Sequence, residues 1–100
     1  MGDMGCHILD PAFYALELGA PTEIQATSTH YIPEIESQTY PSASIVRMKF
    51  PKRGKHPELN LTWSDGRIQP AIPEEFKSGE QFTLSGAMFI GDQGKITHDS

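Results

Sequence analysis

One cysteine, Cys6, stands among 100 residues. No internal disulfide is possible, so packing and hydrogen bonding must supply the stability. Cations are few as well: eight Lys and Arg against thirteen Asp and Glu leave a formal net charge of −5. A chain this acidic lacks the positive charge density that a phosphate backbone selects, so nucleic acid is not an expected partner. No apolar run approaches the roughly eighteen residues of a membrane span, and no basic-then-apolar leader opens the chain. No membrane partner is expected, and the cytoplasm is the expected compartment. Internal repeats and low-complexity runs are absent too. His30, His56 and His98 are scattered without paired spacing and Cys6 has no partner thiol, so no metal site is expected. No Gly-x-Gly-x-x-Gly occurs, and Gly91 to Gly94 joins two expected strands rather than opening a helix.

What is present is globular in character. Hydrophobic residues make up 37% and charged residues 21%, while nine Gly and eight Pro imply many turns and a sheet-rich domain. Residues 2–18 place Ile8, Leu9, Phe13, Leu16 and Leu18 on one side of an amphipathic helix. Asp3 is its expected N-cap, Gly19-Ala20-Pro21 its expected stop, and Pro11 the one interior complication. Cys6, beside Met4, Ile8 and Leu9, reads as a packed thiol. Residues 22–30 read as a strand, and 31–40 as a loop whose Glu34 and Glu36 are solvated.

The strongest alternation lies in 42–50, where Ser44, Val46, Met48 and Phe50 oppose Ala43, Ile45, Arg47 and Lys49. Leu59, Leu61 and Trp63 form a third strand closed by Ser64-Asp65-Gly66. Residues 67–85, with Pro70 and Pro73, read as loop with one helical turn near Glu74-Glu75-Phe76. Residues 87–90 and 95–98 form a hairpin. The expected fold is α+β: one N-terminal helix packed on a mainly antiparallel sheet of four or five strands.

Chemistry is concentrated at Asp3 and His7. A spacing of four puts a carboxylate and an imidazole a turn apart on a helix, where the carboxylate can orient a general acid or base. The same spacing is met more simply by a capping aspartate followed by an ordinary helical histidine. The basic cluster Lys52-Arg53-Gly54-Lys55-His56 reads as a solvated loop, with a phosphate-binding or substrate-facing role as the alternative.

Larger stretches carry a resemblance. Gly2-Asp3-Met4-Gly5-Cys6-His7-Ile8-Leu9-Asp10, Ala15-Leu16-Glu17-Leu18-Gly19-Ala20-Pro21, Tyr40-Pro41-Ser42-Ala43-Ser44-Ile45-Val46-Arg47 and Phe50-Pro51 are four of them. Leu61-Thr62-Trp63-Ser64-Asp65-Gly66 and Phe89-Ile90-Gly91-Asp92-Gln93-Gly94-Lys95 follow in the expected order. Together they resemble the second domain of the Gfo/Idh/MocA oxidoreductases, which has the dihydrodipicolinate-reductase-like α+β fold. The resemblance implies a Rossmann domain holding NAD or NADP, absent from this sequence, and a sugar, polyol or related carbinol substrate in the cleft between domains. His7 matches the histidine that takes the substrate hydroxyl proton, and Asp3 the aspartate beside it.

The chain departs from the family in lacking both the dinucleotide fingerprint and the lysine-bearing motif. It therefore reads as a piece of a longer enzyme, with Met1 an introduced start, and as inactive and without bound cofactor on its own. A periplasmic location is the alternative if the longer protein carries a signal. Two other functions stand beside this one: an NAD-dependent glycosidase of the same family, and a non-catalytic sheet module that forms a homodimer through Ala43 and Ile45.

Overall fold

The computed structural model describes residues 1–29, 32, 34, 38–83 and 85–99. It is an α+β arrangement of one helix, α1 (Gly5–Ala15), and five strands. The strands are β1 (Glu23–Ser28), β2 (Ser44–Phe50), β3 (Leu59–Asp65), β4 (Gly86–Ile90) and β5 (Lys95–Asp99). They do not form one sheet of four or five strands. β1, β2 and β3 make an antiparallel sheet in that order, and β4 and β5 make a separate antiparallel hairpin. Alternation fixes which face a side chain joins, but not which strand lies alongside. The expected strand over 22–30 is shorter here, and its last residue, His30, lies outside the described residues, as does Glu36.

β2 is the central strand, and its register sorts the sheet into two faces. Val46 sits opposite Trp63, Met48 opposite Leu61 and Phe50 opposite Leu59, giving one apolar face. Arg47 opposite Gln25 and Thr62, and Lys49 opposite Glu23 and Asn60, give a polar one. Helix α1 packs against the Phe50 end of the apolar face and leaves Ile24 exposed. Its Phe13 ring meets Phe50 edge-on, with centroids 5.7 Å apart, a favoured aromatic geometry. Ile8, Ala12, Ala43, Phe50 and Trp63 form the buried core, and Phe50 is only 1% exposed. Ala43 was expected on the open face beside Ile45; it lies inside instead, under the Gly66 turn.

β2 and β3 join through a tight turn in which Arg53 and His56 exchange both backbone hydrogen bonds, at 2.9 and 2.7 Å. Gly54, at φ +53°, supplies the left-handed step. After β3, Gly66 and Arg67 are both left-handed, at φ +70° and +71°, and Ile68 N–H returns to the Asp65 carbonyl at 3.4 Å. Near Glu74 the chain makes a turn rather than a helical turn, closed by Phe76 N–H on the Pro73 carbonyl. In the hairpin, Phe89 stacks on the His98 ring.

The molecule is open for its length. Its radius of gyration is 15.3 Å, against about 13 Å for a compact domain of this size. Its accessible surface is 8037 Å², against roughly 5,700 Å² for a compact monomer of this mass. Ile24, Ile90 and Ile96 are each about two-thirds exposed. No helix among the described residues is long and apolar enough to cross a membrane.

Candidate functional site

Helix α1 carries His7 and is shorter at both ends than the 2–18 pattern predicts. Met4, not Asp3, occupies the N-cap position, and no side chain caps the helix there. Asp3 lies in the turn before it, where the Gly5 N–H donates to the Met1 carbonyl at 2.8 Å. At the other end Glu17, at φ +51°, takes the left-handed position, and Leu18 N–H donates to the Phe13 carbonyl at 3.1 Å. That six-to-one bond is the Schellman closure usually built on glycine. Gly19, the expected stop, lies two residues too late to serve. Pro11 stays inside the helix. Having no N–H, it leaves the His7 carbonyl without its donor from the next turn.

The buried stripe of α1 is Gly5, Ile8 and Ala12. At 3.6 residues per turn both Cys6 and His7 lie off that stripe. Cys6 is accordingly exposed, not packed, with its thiol 3.7 Å from the Asp3 carbonyl. His7 and Asp3 are exposed too, and among the described residues no hydrogen bond or ion pair joins them. Proximity in sequence and access to solvent are what the two share. No group of three His, Cys, Asp or Glu that could hold a metal occurs among the described residues.

Two side chains to which the sequence pattern assigns no such role, Asp65 and Arg53, fix the helix on the sheet. At the start, the Asp65 carboxylate accepts from the Met1 ammonium at 3.2 Å, Trp63 Nε1 at 2.9 Å, Ser44 N at 2.8 Å and Ser44 Oγ at 2.9 Å. Burial pulls the Asp65 pKa upward. The Trp63 indole, the Ser44 hydroxyl, the ammonium and the Ser44 amide outweigh it and hold the carboxyl at about 2. At the far end, Arg53 Nε and Nη2 donate to the Leu16 carbonyl at 3.3 and 3.2 Å, and Nη1 to the Pro51 and Pro57 carbonyls.

The Arg53 guanidinium thus occupies the C-terminal carbonyl end of α1, where the helix dipole favours a cation. His56 Nε2 lies 3.3 Å from the Glu17 carboxylate alongside it. Arg53 and His56 are therefore structural rather than loop residues free in solvent; Lys52 and Lys55 remain exposed.

Two grooves mark the surface. One of about 350 Å³ runs beside α1 along Met1, Gly5, Cys6, Leu9, Asp10 and Phe13. The other, of about 630 Å³, lies over the sheet. His7 and Asp3 line neither. Sequence signals for Asp65 and Arg53 were slight: a Trp and an Asp two apart on one strand face, and an Arg in a run of cations. No known family profile and no curated protein sequence matches this chain.

Proposed function

We propose that this chain is the substrate-side part of an NAD(P)-dependent oxidoreductase acting on a sugar, polyol or related carbinol, with His7 exchanging the substrate hydroxyl proton. The observation that carries the reading is the ordered run of motifs from Gly2-Asp3-Met4-Gly5-Cys6-His7 to Gly91-Asp92-Gln93-Gly94. An exposed imidazole on a helix clamped at both ends suits proton exchange with a ligand brought from outside. Asp3, in the adjoining turn, is the carboxylate that the resemblance pairs with it.

The residues present do not fit a dinucleotide. The Gly91–Gly94 turn closes on itself through Gly91 N–H and the Gly94 carbonyl at 2.8 Å and leads into β5, not into a helix. NAD or NADP would therefore sit on other polypeptide, and only proton chemistry is assigned to these residues. The chain is expected to be inactive alone. The test follows cofactor reduction by the intact gene product over a panel of sugars and polyols. His7→Ala should lower turnover at least about a hundredfold with cofactor affinity kept. Undiminished turnover removes His7 from the reaction, and no reduction with any of these substrates overturns the assignment.

A second reading, homo-association through the sheet, is favoured by the surface excess over a compact monomer and by the exposed Ile24. Light scattering across a concentration series tests this reading, and a strict monomer at high concentration counts against it.

A further inference from the structure

The charge of this chain is not spread evenly. Five of its eight Lys and Arg (Arg47, Lys49, Lys52, Arg53 and Lys55) fall within nine residues that contain no Asp or Glu, in a chain of net charge −5. Arg53 is held by backbone carbonyls, and Lys49 lies 3.3 Å from Glu23. Arg47, Lys52 and Lys55 are exposed and have no carboxylate partner among the described residues.

The sheet register places the polar side chains in two rows. Gln25, Arg47 and Thr62 form one; Glu23, Lys49 and Asn60 form the next. Alternate residues on a strand stand roughly 7 Å apart, so Arg47 and Lys49 present two cations side by side. The groove of about 630 Å³ is lined by these six residues together with Ile24, Met48 and Leu61. The six polar residues belong to the face opposite Phe50, and His7 is not among the lining residues.

We propose that this groove binds an oligosaccharide of uronic acids, and that Arg47 receives a sugar carboxylate. Three features select that class. The unpaired guanidinium of Arg47 offers a planar fork matched to a carboxylate. Gln25, Asn60 and Thr62 supply the donors and acceptors that sugar hydroxyls need in place of water. Glu23, inside the groove, opposes a ligand of dense negative charge such as a sulfated chain, while tolerating one charge per ring. Lys52 and Lys55 continue the positive field beyond the end of β2.

The test titrates the 100-residue chain with tetragalacturonate, cellotetraose and a sulfated heparin tetrasaccharide, following backbone amide shifts at physiological salt. Tetragalacturonate is expected to bind and to shift the amides of residues 25, 47 and 62. Arg47→Gln should weaken it about tenfold or more, and Arg47→Lys by less. Arg67→Gln, on the turn after β3, should leave it unchanged. Thr62→Val provides a second lesion within the same row and should weaken binding without removing charge. Equal binding of cellotetraose, tighter binding of the sulfated chain, undiminished binding by Arg47→Gln, or no binding of tetragalacturonate would each overturn the proposal.

Discussion

Trp63 and Asp65, two apart on β3, are joined by a hydrogen bond from the indole Nε1–H to the carboxylate at 2.9 Å. The same carboxylate takes the backbone and hydroxyl donors of Ser44 across the sheet, so one side chain links the end of β3, the start of β2 and the first residue of the chain. Because its folded pKa is depressed to about 2, Asp65 adds stability that is complete above its ordinary value of 3.8. That contribution disappears as pH falls through 2. The shift corresponds to about 2 kcal/mol at neutral pH. Urea midpoints at pH 7, 4 and 2 should show this loss in the wild type and a flatter profile in Asp65→Asn. Parallel profiles would disprove the role.

Arg53 presents an independent case. Arg53→Gln should lower stability by about 1–3 kcal/mol, since the Leu16, Pro51 and Pro57 carbonyls lose charged donors. The denaturation midpoint should fall at constant slope. Lys52→Gln, removing an exposed neighbour, should stay within about 0.5 kcal/mol of wild type.

Gly66 and Gly54 share a left-handed backbone but not a neighbourhood. A Cβ at Gly66 would collide with the Ser42 carbonyl and Ala43, whereas at Gly54 it would meet open space. Gly54→Ala should cost about 1–2 kcal/mol from backbone conformation alone, and Gly66→Ala should cost clearly more. Equal thermal shifts in the two variants would show that the contact does not matter.

Cys6 should react in the folded protein. Its exposure predicts modification by iodoacetamide at close to the rate measured in denaturant. Strong protection on folding would return it to the interior.

The β2 and β3 faces were legible because Val46, Met48 and Phe50, and Leu59, Leu61 and Trp63, alternate without interruption. The termini of α1 were not. Glu17 rather than Gly19 takes the left-handed position where Arg53 and His56, from 36 to 39 residues away, engage the helix end. Local glycine signals carry no information about such distant partners. Cys6 was misplaced because its apolar neighbours belong to a stripe that passes beside it. The split between the three-stranded sheet and the hairpin was hidden for a different reason, since every strand alternates in the same way whichever strand it pairs with. At the candidate site, the residues Asp3 and His7 came from spacing and resemblance, whereas the clamps at Asp65 and Arg53 depend on the folded chain.

One strand, β2, contributes Phe50 to the interior and Arg47 and Lys49 to the outer surface. Interior and exterior are thus coupled by parity. A one-residue slip of β2 against its neighbours would turn the cations inward and the aromatic ring outward together. A single residue inserted there would keep both faces only if the strand absorbed it as a bulge.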